Sequence, residues 1–218
     1  MTLEDRILFV DGEIIVLDKP AGLPVDTPRR GGNSIESRLE ELTLGFKKLP
    51  TPMHRLDQDT SGCLLLARHP QARKWTQAMF EEHKVEKTYL AVLGDVIEGE
   101  EGLIDLPLDK VSSADAGWRM THDPKGKQAR TRWRKIAEKD GRTLVEFAPE
   151  TGRTHQIRVH AREGLGAGIV GDRVYGYPGG EMLLHAWKLA TPRKKGHRLE
   201  VTAPLPDYFG EWKDHVPG

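Results

Sequence analysis

Cysteine is almost missing from this chain of 218 residues: Cys63 stands alone. A single thiol excludes an internal disulfide and any cysteine-rich zinc site, and it fits a reducing cytoplasm. No apolar run approaches the roughly 18 residues of a membrane span. The first residues, up to Arg6, carry Glu4 and Asp5 and no cleavage pattern, so neither a membrane anchor nor a secretory signal is expected. Metal spacings such as His-x-x-x-His are absent, and so are phosphate-binding glycine loops; Gly164–Gly168 reads as a flexible turn. No metal and no cofactor is expected. Net charge is missing too, since 33 Lys and Arg balance 33 Asp and Glu, which at first argues against a nucleic-acid partner.

The distribution of charge points the other way. Between Lys125 and Arg162 eleven basic residues stand against four acidic ones, a local balance of +7. A neutral protein with one basic face can still follow a phosphate backbone, although a solvated charged strand would give the same pattern. With 37% hydrophobic and 30% charged residues, the chain suits one domain over residues 1–218, or one domain of two lobes around a cleft.

Coarse patterning places the segments. Ile7–Val10 and Glu13–Leu17 read as a hairpin across Asp11-Gly12. Residues 21–32 form a loop. Asn33 or Ser34 can cap a helix over 35–44, with Glu36 placed for a capping box. A second helix is predicted over 71–82, a strand over 87–96 and a short extended piece over 103–108. Residues 129–137 and 143–147 pair across Asp140-Gly141, which puts Arg130, Arg132 and Arg134 on one strand face. A helix follows over 154–163, with His155, Arg158 and Arg162 on one side, and late strands over 183–190 and 198–201. The fold class is α+β, a mixed and largely antiparallel sheet flanked by helices and loops.

The most informative run is His54-Arg55-Leu56-Asp57-Gln58-Asp59-Thr60-Ser61-Gly62, which leads into the apolar Cys63-Leu64-Leu65-Leu66-Ala67. Turn formers followed by a doubly buried strand fix Asp57 at the mouth of rigid structure, a favoured place for a catalytic carboxylate. A turn cap or a surface ion pair is the plain alternative.

Further segments accompany that run in order: Leu17-Asp18-Lys19-Pro20-Ala21-Gly22, Lys87-Thr88-Tyr89, Gly152-Arg153-Thr154-His155-Gln156-Ile157-Arg158, Gly171-Asp172-Arg173 and Leu184-His185-Ala186. Together they resemble the RluA-type family of pseudouridine synthases over roughly residues 16–190. Many relatives carry an extra N-terminal S4-type RNA-binding domain, and the Lys-Pro segment begins too early here to leave room for one.

The resemblance implies a cofactor-independent isomerase that turns specific uridines into pseudouridine in structured stem-loops of tRNA or rRNA. It implies a cytoplasmic protein acting as a monomer, with no membrane or protein partner. Asp57 would be the essential carboxylate, with Arg158 as its ion-pair partner. Tyr89 would stack on the displaced uracil or take its C5 proton. Arg55 would fill the gap left by the extruded nucleotide. His54 reads as a hydrogen-bonded loop residue beside the base, Arg153 and His155 as RNA contacts, and Leu184, His185 and Ala186 as pocket wall. Arg130, Arg132, Arg134, Lys194 and Lys195 are phosphate candidates, and Gly62, Gly152 and Gly171 backbone devices. Two other functions use the same residues: a nucleic-acid glycosidase that loses the base to water, and a non-catalytic RNA-binding protein.

Overall fold

A strand buried along its whole length, Ser61–Ala67, lies at the centre of the first of two units into which the computed structural model divides. The structure describes residues 2–113, 117–193 and 196–216, so the phosphate candidates Lys194 and Lys195 lie outside the described residues. Among these, twelve strands follow in order: β1 Ile7–Val10, β2 Ile14–Lys19, β3 Thr51–Pro52, β4 Ser61–Ala67, β5 Glu86–Leu93, β6 Glu101–Asp105, β7 Leu108–Ser113, β8 Gly117–His122, β9 Arg130–Lys139, β10 Arg142–Pro149, β11 Leu184–Thr191 and β12 Leu199–Thr202. The α-helices are α1, Pro70–Glu81, and α2, Gln156–Val159. No helix among the described residues is long and apolar enough to cross a membrane.

The first unit comprises Met1–Lys87 and His185–Pro206. Its strands run in the order β1-β2-β4-β11, with β3 beside β4 and β12 beside β11. All pairs are antiparallel except β4 with β11, where Ser61 faces His185 and Gly62 faces Ala186. Gly62 has φ +106°, and a Cβ there would collide with the Ala186 carbonyl, so only glycine permits this approach. Alternate residues of β2 and β4, Ile14, Val16, Cys63 and Leu65, pack with Val85, Leu189, Val201 and Ala203 into one buried cluster. Burial pushes the Cys63 thiol up to about 12, so it acts as a small apolar residue.

Two helix expectations change. The segment expected as a helix over 35–44 is a 3₁₀ helix, Glu36–Leu42. Its cap is a reciprocal pair, in which Ser37 N–H donates to Ser34 Oγ at 3.0 Å and Ser34 N–H donates to Ser37 Oγ at 2.9 Å. Glu36 is not the capping partner, because its carboxylate accepts from Thr27 N–H at 2.8 Å. In α1, Pro70 occupies the first turn and His69 Nδ1 accepts from Ala72 N–H at 3.2 Å.

The second unit comprises Thr88–Leu184 and Asp207–Gly218. Its strands run β5-β10-β9-β6, all antiparallel. β9 and β10 turn through Asp140 (φ 51°) and Gly141 (φ 73°), the doubly left-handed turn that the Asp-Gly pair favours. A separate ribbon pairs β7 with β8; the sequence pattern gives no expectation for it. The helix expected over 154–163 is α only through Val159 and continues as a π turn, His160–Gly164. The wider turn removes the spacing that would align Arg162 with Arg158.

Two imidazoles brace β4, one at its start and one further along. Met53 N–H donates to Leu65 O at 2.9 Å, and Leu65 N–H then donates to His54 Nε2 at 3.0 Å, so a side chain continues the pairing where β3 ends. His185 Nδ1 bonds Ser61 Oγ at 2.8 Å. Burial, with the Lys87 ammonium nearby, pushes His54 down to about 3, and burial pushes His185 down to about 4. The unfolded chain binds protons at both positions below pH 6.5, whereas the folded chain does not until pH 3–4, so stability falls on acidification through that window. Urea unfolding at pH 7.5 and 5.0 should show this loss, on the order of 1 kcal/mol per pH unit for a fully buried imidazole such as His185. His185→Asn should flatten the pH slope; an unchanged slope would remove His185 from the account.

Candidate active site

In the first unit the loop that carries Asp57 closes by a turn, with Thr60 N–H donating to Asp57 O at 3.1 Å. Its anchor is Lys19, at the end of β2. The ammonium is fully buried and donates to Leu23 O at 2.7 Å, Pro20 O at 2.9 Å and Gln58 O at 2.9 Å. Three donors meet three carbonyls, which satisfies the cation without a direct carboxylate partner among the described residues. Burial lowers the Lys19 pKa to about 7, while the charges of Asp59, Asp57 and Asp18 oppose the fall. The third carbonyl belongs to the residue after Asp57, so this clamp sets the height of the loop. Lys19 has no role beyond the motif in the sequence reading; the signal was a lysine ending an otherwise apolar strand.

Asp57 itself is half-buried. Arg55 is on the surface, paired with Asp26 at 2.6 Å. His54 is neutral, its ring packed against Phe80 at 5.3 Å between centroids. Leu56 and Thr60 are both buried on either side of Asp57, while Gln58 and Asp59 between them are exposed.

Three more site candidates, Tyr89, Arg158 and His155, lie in the second unit. Tyr89 sits on β5 opposite Phe147 and is 8% exposed. Arg158 is also buried, and Asp172 grips it bidentately: Nε donates to Oδ2 at 2.7 Å and Nη2 to Oδ1 at 2.8 Å. Burial would raise the Asp172 pKa, but the Arg158 guanidinium and the N–H groups of Val174 and Tyr175 outweigh it and hold the carboxyl below its ordinary range. The pairing occupies two of the five guanidinium donors. Tyr175 adds its ring face, 5.0 Å from the guanidinium carbon. Asp172 and Tyr175 were missed as supports for Arg158, because nothing local in Gly171-Asp172-Arg173 announces a partner fourteen residues away.

His155 precedes α2 with φ 53°, and its Nδ1 bonds the Tyr175 hydroxyl at 2.8 Å. Arg153 donates through Nε to Gln128 O at 3.0 Å. Gln156 fixes this corner to β9: its amide donates to Arg130 O and Thr131 Oγ1, both at 3.0 Å, and its carbonyl accepts from Thr151 and Arg153. Leu184 is buried at the start of β11. The arginines of β9 are paired with acids: Arg130 with Asp105 and Glu150, Arg132 with Glu150, Arg134 with Glu146. Cross-strand register brings these carboxylates opposite the arginines and neutralises much of the basic face that the sequence count suggests. Among the described residues no three His, Cys, Asp or Glu side chains are grouped to hold a metal ion.

Residues 13–163 match the profile of the RNA pseudouridylate synthases. An uncharacterized RNA pseudouridine synthase of Zymomonas mobilis is 50% identical over 95% of this chain and 96% of its own length. The dual-specificity RNA pseudouridine synthase RluA of Yersinia pestis is 33% identical over 84% of this chain and 90% of its own. Among solved structures, human RNA pseudouridylate synthase domain containing 4 superposes with a TM-score of 0.81 at 27% identity, covering 95% of this chain and 91% of that one. With the match spanning most of the chain and the fold shared, the protein belongs to the RNA pseudouridylate synthase family.

Proposed function

We propose that this enzyme isomerises specific uridines to pseudouridine in stem-loops of tRNA or rRNA, with Asp57 as the essential carboxylate. The observation that carries the reading is the Lys19 clamp, which pins the Asp57 loop through the carbonyl of the next residue. In the reaction the C1′–N1 bond breaks, the uracil turns, a C1′–C5 bond forms, C5 loses a proton and N1 gains one. Asp57 acts on the sugar while the glycosidic bond is open, as nucleophile or as base. Tyr89 is the proposed acceptor of the C5 proton, its oxygen passing its own proton on as it takes the new one, which leaves Asp57 committed to the ribose. Arg158, pre-oriented by Asp172, is the cation proposed to keep Asp57 ionised. The buried Leu56, next to Asp57 in sequence, suits a site that must hold a detached base away from water. The inert, solitary Cys63 fits a reducing cytoplasm.

Asp57→Asn should abolish pseudouridine formation while leaving RNA affinity within about tenfold, roughly 1.4 kcal/mol. Site-by-site pseudouridine mapping of total RNA, from cells with and without the protein, identifies the substrate and scores the variant. RNA mass separates the glycosidase reading, since isomerisation conserves mass and base loss does not.

Lys19→Met keeps the length of the side chain but removes all three donors. Turnover should fall about 10²-fold, the scale of a displacement of ~1 Å at a reacting group, with RNA affinity little changed. A variant that keeps wild-type kcat would show that the clamp does not set the loop.

Tyr89→Phe keeps the ring and loses the hydroxyl. If the phenol takes the C5 proton, single-turnover kinetics on 5-protiated and 5-deuterated uridine RNA should show a loss of about 10²-fold or more. Near-wild-type turnover would reduce Tyr89 to a stacking surface.

A further inference from the structure

The ribbon of β7 and β8 takes no part in the chemistry above. A two-stranded ribbon is at best marginally stable in water, so its attachments show what it is for. Its register pairs Lys110 with Met120 and Ser112 with Trp118, so Leu108, Lys110, Trp118 and Met120 share one face. Leu108 and Met120 use that face to pack with Ala129, Val159 and Tyr175. Met120 N–H donates to the Tyr175 hydroxyl at 2.9 Å, and Glu163 accepts from Thr121 Oγ1 and His122 N–H, both at 3.1 Å. The ribbon is thus fastened without Trp118.

Trp118 nonetheless lies against His155, rings 5.1 Å apart and inclined by 21°, and keeps 47% of its surface exposed. The Lys110 ammonium reaches over the indole at 4.8 Å. Lys110, Arg119, Lys125 and Lys127 are exposed, and none has an ion pair among the described residues. The β9 arginines, by contrast, are all matched with acids. An exposed indole backed by imidazole, amid unmatched cations, is the make-up of a single-stranded nucleic-acid contact.

We propose that Trp118, backed by His155, is a stacking shelf for an unpaired nucleobase of the substrate RNA next to the target uridine, with Lys110 and its neighbouring cations taking the adjoining phosphates. A base on the indole replaces the Lys110 ammonium there and leaves that cation to the backbone. The shelf also touches the group that holds Arg158, since His155 Nδ1 bonds the hydroxyl of Tyr175, whose ring lies against Arg158. The proposal rests on the RNA-isomerase reading.

The test uses the full chain and unmodified total RNA from cells that lack it. Trp118→Ala should raise KM about tenfold, the loss of one base–aromatic stack, with kcat within about twofold; Trp118→Phe should stay within about threefold of wild type. RNA should quench the indole fluorescence of the wild type, and Trp118→Phe should lose most of that quenching. Lys110→Gln should flatten the salt dependence of binding by about 0.7 in log–log slope, one phosphate contact. An unchanged KM in Trp118→Ala, or equal losses in the Phe and Ala variants, overturns the shelf. Unchanged RNA titrations with altered sedimentation would make Trp118 a protein contact and overturn it too. If the wild type makes no pseudouridine yet its RNA quenching maps to Trp118, the shelf stands and the isomerase reading falls. Turnover with no quenching at Trp118 gives the reverse.

Discussion

A buried ammonium held by three backbone carbonyls sets the geometry of the Asp57 loop. Lys19 ends β2 where an apolar residue would continue the strand, and its charge is taken out of water without a direct carboxylate contact among the described residues. Such burial is tolerated only where every N–H finds an acceptor. The carbonyls come from two segments, the Pro20–Leu23 loop and Gln58, so the cation forces them into one arrangement. Strand β4, buried throughout, supplies the fixed base for that loop, and the glycine at Gly62 lets β11 approach it.

The second unit follows the same logic with the charges reversed. Asp172, almost fully buried, gathers two backbone N–H groups and two guanidinium donors. Arg158 is therefore held in one orientation by the fold, with little side-chain entropy left to lose. Each unit thus fixes one buried cation by itself, Lys19 through carbonyls and Arg158 through a carboxylate.

Much of this was legible in the sequence where the cause is local. The Asp140-Gly141 turn, the apolar run from Cys63 to Ala67 and the Thr60-Ser61-Gly62 approach to it each carry their own stereochemistry. What was not legible depends on distant partners. Glu36 looks like a capping residue until Thr27 claims it. The arginines of β9 look like a basic face until the register sets Glu146, Glu150 and Asp105 beside them. β7 and β8 mix Lys, Ser, Arg and Trp with no clean alternation, because one face of the ribbon meets α2 and Tyr175 only near its base. The Lys19 clamp was hidden for a simpler reason: a lone lysine at a strand end ordinarily reaches solvent.

The parallel pairing of β4 with β11 has a consequence for how the protein is made. Ser61 meets His185, so the neighbour that completes β4 is synthesised more than a hundred residues later. During translation Thr88–Leu184, the larger part of the second unit, leaves the ribosome in between, with the antiparallel pairs of β5, β10, β9 and β6. Those pairs can form first, whereas the apolar β4 waits for β11 at Ser61 and Gly62. The nascent chain therefore carries this apolar strand without its β11 partner until His185 and Ala186 have been made, and the Asp57 loop gains that support late. Slow elongation beyond Leu184 would lengthen this exposure, which makes the late region the point at which the yield of folded enzyme is most sensitive to the rate of translation.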